Sequence, residues 1–329
     1  MSHLVVVLDS AVVPGSSECD IERAVLADAA EVKLMPVHEE REFAEIAGEI
    51  DGCIVPSHTQ ISHLSLGRMR RGTVVVRNGV GFDNVDVAAA TRLGIVVCNV
   101  PDYGTEEVAD HTIALMLALL RGLPEALADV AAGHWNWKVC LANRRLRDLS
   151  LGIIGCGRIG TAVALRAKAF GLRIGFYDPY VSAGYEKALG VCRSSDLNSL
   201  LEQSDVVCVH VPLTAETFHL IAATELARMK QGSFLINTAR GPVVDGRALA
   251  EGLRSGPLAG AALDVIEKEP DVGEELRLQK KCLITPHCAF YSQESVIELR
   301  RKAAMIIRDV LNGKPARNVV TGSQLNVAS

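Results

Sequence analysis

Residues Leu151-Gly152-Ile153-Ile154-Gly155-Cys156-Gly157-Arg158-Ile159-Gly160 decide the fold. A short apolar run enters three glycines spaced G-x-G-x-x-G, and residues 161–170 leave them with helical composition. The glycine pattern alone is common; a strand before it and a helix after it make it specific. In that setting Gly155 permits a tight turn, Gly157 lets backbone approach a pyrophosphate, and Gly160 lets helix pack on strand. The amides and dipole at the N-terminus of the helix that follows then hold phosphate, with Arg158 and Ile159 of the turn among the cofactor contacts. The next β run ends at Asp178, about 20 residues on, where a carboxylate accepts hydrogen bonds from the adenosine ribose hydroxyls. An Asp there repels a 2′-phosphate and Pro179-Tyr180 supplies no cation, so the pattern selects NAD over NADP.

Outward from this turn the same rhythm continues. Further strands are expected at 173–177, 206–210, 233–237, 260–264 and 283–285, and in the first hundred residues at 4–8, 32–36, 52–55, 73–76 and 95–98. Helical stretches such as 21–29, 39–49 and 106–121 lie between them. Alternation of this kind implies an α/β protein: two doubly wound, Rossmann-like or flavodoxin-like domains with a cleft between them. A last helix, 292–311, has no strand after it and is expected to return to the first domain. Residues 1–102 plus 292–329 would form a discontinuous substrate-binding domain, and 103–291 the NAD-binding domain. The tail from Gly313 reads as loosely ordered.

Composition narrows the function classes. Across 329 residues the net charge is −5, which gives no electrostatic reason to expect nucleic acid or an anionic membrane as partner. The basic runs Arg144-Arg145 with Arg147, and Arg300-Arg301-Lys302, read as solvated faces. The apolar run 4–8 stops at Asp9 and reads as a strand rather than a signal peptide. No apolar stretch is long enough to span a bilayer. The nine cysteines are odd in number, scattered and without a C-x-x-C pair. They fit a reducing cytoplasm and neither a disulfide framework nor a zinc site, so no metal is expected.

Three later segments fall at strand C-termini, where open α/β sheets place their ligands. They are 237–245 with Arg240, 263–270 with Asp264 and Glu269, and 285–291 with His287. Singly, each has a plain reading: a salt-bridged arginine, a loop carboxylate, a satisfied loop histidine. Together they set a cation, an acid and a titrating base at successive sheet edges facing one nucleotide. Reduction of a 2-oxo acid by hydride needs those types. A guanidinium forks onto the carboxylate. An imidazole donates a proton as the carbonyl oxygen gains charge. A neighbouring carboxylate orients that imidazole and favours its charged form.

Joined to Arg77-Asn78-Gly79-Val80-Gly81-Phe82-Asp83-Asn84-Val85-Asp86, these segments resemble the D-isomer-specific 2-hydroxyacid dehydrogenases. Within them, Cys98-Asn99-Val100-Pro101 and stretches 162–171, 176–180 and 285–292 are most similar to the C-terminal binding protein branch. The resemblance implies that Arg240 binds substrate carboxylate and carbonyl, that His287 is the acid/base and that Glu269 is its partner. It implies that backbone amides of Asn78, Gly79, Val80 and Gly81 complete the carboxylate site. Arg77 would either meet a substrate carboxylate or tie down its loop. Cofactor contacts would extend to Val80, Thr112, Val211, Pro212, Thr217, Thr238, Ala239 and Asp264. The family is generally dimeric through its nucleotide-binding domains, so a homodimer is implied, with Trp135 and Trp137 either in the dimer core or reaching toward the partner's site.

Where the closest branch has a tryptophan three positions after the catalytic histidine, this chain has Phe290, which keeps an apolar substrate pocket without the indole donor. The implied activity is NAD-dependent oxidoreduction of a small 2-hydroxy or 2-oxo acid. The alternative, from another class, is an NAD(H)-sensing interaction protein like that branch's corepressors. Such a scaffold has no physical need of Arg240, Glu269 and His287 together. For a phosphorylated substrate only Arg77 and Arg240 stand out as cations.

Overall fold

The computed structural model describes residues 3–9, 18–37 and 39–322. The chain divides into two compact units, Met1–Gly104 with Tyr291–Ser329, and Thr105–Phe290.

The first unit is built on five parallel strands: β1 (His3–Val7), β2 (Ala30–Leu34), β3 (Gly52–Val55), β4 (Val74–Arg77) and β5 (Val96–Cys98). Their spatial order is β2-β1-β3-β4-β5. Every residue of β3 and β4 is buried, as expected of central parallel strands covered on both faces, and this explains their unbroken apolar runs. The helix Gln293–Leu311 belongs to this unit, with Ser292 Oγ capping it by accepting from the Ser295 amide at 2.9 Å. Its Arg300 overturns the solvated reading of the basic run 300–302. The Arg300 side chain is 1% exposed and forks onto Glu22 at 2.8 and 2.7 Å, with Asp20 at 3.4 Å. A bare guanidinium could not be withdrawn from water at tolerable cost; the equally buried Glu22 carboxylate makes it possible.

The loose tail is also overturned as far as residue 322. Val319 bridges Cys98 antiparallel, and the Val320 amide donates to Val97 O at 2.8 Å while its side chain is buried. The open edge of β5 offers unpaired backbone groups, and the returning chain takes them up. The remainder of that tail, 323–329, lies outside the described residues.

The second unit carries seven parallel strands: β6 (Ser150–Ile154), β7 (Arg173–Tyr177), β8 (Cys192–Arg193), β9 (Val206–Val209), β10 (Ser233–Asn237), β11 (Leu258–Leu263) and β12 (Cys282–Ile284). Their order is β12-β11-β10-β9-β6-β7-β8. The direction of winding reverses at β6, which has β9 on one side and β7 on the other. The crevice beyond the C-terminal ends of strands at such a reversal is where this architecture binds ligands. The two-residue edge strand β8 was not expected, because Cys192-Arg193 offers no apolar run to read. The helix Thr105–Leu120 opens on Glu106 and Glu107, which suit its positive end, and buries Ile113 and Met116 with Leu151, Ile153, Val163 and Phe176. Arg144, from the other basic run, pairs with Asp205 at 3.0 Å. Among the described residues no helix is long and apolar enough to cross a membrane.

Candidate active site

The glycine turn follows β6. Gly155 has φ +87, and a Cβ there would lie 2.7 Å from the His210 carbonyl oxygen; a Cβ on Gly160 would lie 2.1 Å from Gly155 O. Neither position can hold a side chain. Gly157, by contrast, faces open space, with no atom within 4 Å of its missing Cβ. The helix begins at Arg158 rather than 161, so Arg158, Ile159 and Gly160 form its first turn, and no side chain caps their amides. Uncapped amides at the end of a twelve-residue helix are what a phosphate needs. Burial, reinforced by the Asp178 charge and opposed by Thr161 and Arg193, pushes the Cys156 thiol up, so the sulfur beside this anion site stays protonated.

Asp178, just past β7, accepts from the Cys156 amide at 2.8 Å through one carboxylate oxygen and from the Tyr180 amide at 2.9 Å through the other. A cation invisible in the local sequence does lie near it: Arg193 Nη1 donates to Asp178 O at 3.3 Å. That guanidinium is committed to the Val181 and Ser182 carbonyls and to Glu186 at 3.2 Å. Val211 packs beneath Gly155. Thr217 Oγ1 donates to Pro212 O at 2.6 Å and ties their loop together. The open glycine face, the uncapped amides and the acid beyond the next strand fit a dinucleotide.

Beyond β10, Asn237 staples the Arg240 loop: its Nδ2 donates to Arg240 O at 2.9 Å and its Oδ1 accepts from the Ala239 amide at 3.0 Å. Arg240 Nη1 donates to Ala239 O at 2.8 Å. The next residue, Gly241, runs so close to the Glu269 loop that a Cβ would sit 1.9 Å from Ile266 O. Sequence reading missed both Asn237 and Gly241, although an Asx residue and a glycine flanking Arg240 are the local signals of such a turn.

Glu269 Oε2 lies 2.7 Å from His287 Nδ1. Burial pushes the Glu269 carboxyl up, but the His287 hydrogen bond and charge, the Ile266 amide and the Arg240 charge outweigh it and hold the group below its ordinary value. The structure therefore brings Glu269 together with His287 and within the field of Arg240. His287 itself has φ +51, left-handed backbone that is uncommon outside glycine and that the surrounding loop has to hold in place. The constraint is visible. The His287 amide donates to Asp264 O at 2.8 Å, and the Asp264 carboxylate accepts from the Cys288 and Ala289 amides at 3.0 and 2.9 Å. Phe290 meets the imidazole edge-on, with ring centroids 6.3 Å apart.

Two expected cofactor residues sit deeper than a ligand-contact role requires. Asp264 is 2% exposed and its carboxylate shapes the His287 loop. Thr112 is wholly buried, donating to Val108 O at 2.7 Å and lying 2.8 Å from Thr238 Oγ1, behind the Thr238-Ala239 pair.

In the first unit, the Asn78 amide donates to Val55 O at 2.8 Å, and Asn99 Nδ2 to Val80 O at 2.6 Å; Gly81 follows directly. Gly79 has φ +147, and a Cβ there would meet Arg77 Nη1 at 1.7 Å. The buried Arg77 thus lies over its own loop, donating to Asn78 O at 3.2 Å and Asn84 Oδ1 at 3.4 Å.

Fold and turn together define an NAD-binding α/β protein. A family model described as D-isomer specific 2-hydroxyacid dehydrogenase, NAD binding domain, matches residues 113–289. The chain belongs to that family, and its second unit is the family's NAD-binding domain. It is 38% identical to the D-3-phosphoglycerate dehydrogenase of Methanocaldococcus jannaschii over 296 residues, 90% of this chain and 56% of that one. The chain spans about half the length of the curated relatives it matches. Among solved structures it is similar to a glyoxylate reductase from Paecilomyes thermophila, with TM-score 0.88, 29% identity, and 97% and 98% of the two chains covered. It is also similar to a D-lactate dehydrogenase from Aquifex aeolicus complexed with NAD and lactic acid, with TM-score 0.86, 29% identity, and 98% and 100% covered.

Proposed function

We propose that this protein is an NAD-dependent oxidoreductase of small D-2-hydroxy and 2-oxo acids. The observation that carries the reading is the 2.7 Å contact between Glu269 and His287 Nδ1, made by a histidine held in left-handed backbone. With Nδ1 engaged, Nε2 is the atom left to donate a proton to the substrate's C2 oxygen in reduction and to recover it in oxidation. Glu269 orients the ring and compensates its positive charge. Arg240 binds the substrate carboxylate, and Phe290 provides apolar surface beside His287. NADH, when bound, supplies the hydride. The amides of 155–160 hold its phosphates, Asp178 its adenosine ribose, and the loops of Val211, Pro212, Thr217, Thr238 and Ala239 flank it.

The names of the relatives supply three members of the test panel, glyoxylate, pyruvate and the 2-oxo form of 3-phosphoglycerate, and hydroxypyruvate joins them as another small 2-oxo acid. Purified protein should oxidise NADH with at least one of them, and prefer NADH to NADPH. No turnover with any, together with NADH-dependent assembly, would favour the sensing role of the C-terminal binding protein branch. A homodimer in the cytoplasm completes the proposal. The helix Leu123–Ala131 buries no residue of its own, and Leu127, Trp135, Trp137 and Leu141 extend its exposed apolar face. Light scattering of the Leu127→Glu variant should report a monomer.

A further inference from the structure

Two consecutive residues of the helix Thr105–Leu120 reach the loops that carry His287 and Arg240. His111 Nε2 lies 3.1 Å from Thr285 Oγ1, two residues before His287. Thr112 Oγ1 lies 2.8 Å from Thr238 Oγ1, two residues before Arg240. Thr285 has a single hydroxyl proton and gives it to Asp264 Oδ1 at 2.6 Å. The hydrogen between His111 and Thr285 therefore comes from the imidazole, which makes Nε2 a donor. Asp264 passes the constraint on, since its two oxygens accept from the amides of Cys288 and Ala289. The carboxylate is almost wholly buried, so water does not compete and each bond in the chain polarises the next.

His111 Nε2, Asp264 Oδ1 and Cys288 Sγ also lie within 4.8 Å of one another, a spacing that would suit a divalent cation. The Thr285 hydroxyl stands among these three groups, bonded to the first two and interacting with the third. That arrangement is a hydrogen-bond hub rather than an open ligand set.

We propose that His111 is a positioning residue: through Thr285 and Asp264 it holds the segment that bears His287, while Thr112 braces the Arg240 loop through Thr238. Its effect on turnover rests on the reading of His287 as acid/base; its effect on the segment does not.

The test uses the full chain with His111→Ala, His111→Gln and Thr285→Val. The glutamine keeps an N–H able to reach Thr285, and the valine keeps the threonine's shape without its hydroxyl. Hydrogen exchange is read at the Cys288 and Ala289 amides, alongside kcat, KM and the NADH Kd. His111→Ala, which loses one hydrogen bond, should speed exchange at these amides about ten-fold, and Thr285→Val, which loses the bonds to both His111 and Asp264, at least as much. They should lower kcat by similar factors, with NADH Kd within about two-fold, and the double variant should be no worse than Thr285→Val alone. His111→Gln should recover most of both effects. Unchanged exchange in His111→Ala, additive losses in the double variant, or glutamine no better than alanine would overturn the proposal. A wild-type protein that turns over none of the 2-oxo acids would instead sink the functional reading, and exchange alone would then decide the hub.

Discussion

Gly241→Ala isolates the contact between the Arg240 and Glu269 loops. The new methyl would lie 1.9 Å from Ile266 O and 2.0 Å from its carbon. Unbonded carbon and oxygen rest at about 3.3 Å, so the loops must part by roughly 1.4 Å (3.3 less 1.9). Both atoms are backbone, so no side-chain rotation relieves the clash. Gly241 adjoins Arg240, and Ile266 stands three residues before Glu269, so the guanidinium and the Glu269–His287 pair separate. A misplacement of about 1 Å costs on the order of 10²-fold in a positioned reaction. We expect kcat/KM with the best 2-oxo acid to fall about that much, and the melting temperature to drop by several degrees as the buried loops are forced apart. Gly246→Ala is the control, because its methyl would meet only side-chain atoms, Glu267 Oε1 at 3.3 Å and Leu276 Cδ1 at 3.5 Å, and no backbone; it should stay within about two-fold. A Gly241→Ala protein that keeps more than about a third of wild-type kcat/KM would refute the reasoning.

Other perturbations follow from the ion pairs. Glu269→Gln should lower kcat roughly 10²-fold at neutral pH. Because the carboxyl is held below its ordinary value of 4.5, its stabilising contribution is present above that value and is lost only as pH falls through the lowered one, so the unfolding difference between wild type and variant should narrow only on the acid side of 4.5. Asp205 is pulled from 3.8 to about 2: burial raises it, but the Ser150 hydroxyl and amide, Arg144 and Lys230 prevail. Asp205→Asn should then cost about 2 kcal/mol at pH 7 in urea unfolding, a difference that fades as pH falls from about 4 to about 2. Glu22→Gln leaves buried Arg300 with only the more distant Asp20 carboxylate and should cost about 3 kcal/mol, whereas Glu22→Leu with Arg300→Met should recover most of it, as read by hydrogen exchange in the first unit.

What was legible in the sequence was local. The glycine turn declared itself because strand, turn and helix are contiguous, and from it followed the parallel α/β fold and the choice of NAD. Boundaries slipped where a residue's role depends on geometry: Arg158 to Gly160 read as loop but form the first helical turn. Distant partners stayed hidden. Arg300 looked solvated because Glu22 lies 278 positions away, and the tail looked loose because β5 offers it an edge. Pro179-Tyr180 supplied no cation beside Asp178, yet Arg193 arrives there from β8. His111 carried no signal, since a polar residue near the start of a helix is ordinary until Thr285 folds against it. For the candidate site, chemistry alone suggested which residue types should meet, while the loop contacts that orient them, through the Asn237 and Asp264 side chains onto backbone and the close approach of Gly241, have no periodic signature.

The central claim is that the imidazole paired with Glu269 moves the substrate's proton. His287→Asn tests it most directly, because asparagine tolerates left-handed backbone yet cannot exchange a proton near neutrality. Single-turnover NADH oxidation should slow by 10²- to 10⁴-fold, on the order expected for loss of a general acid, with NADH binding unchanged. A His287→Asn protein that reduces the 2-oxo acid at close to the wild-type rate would contradict it.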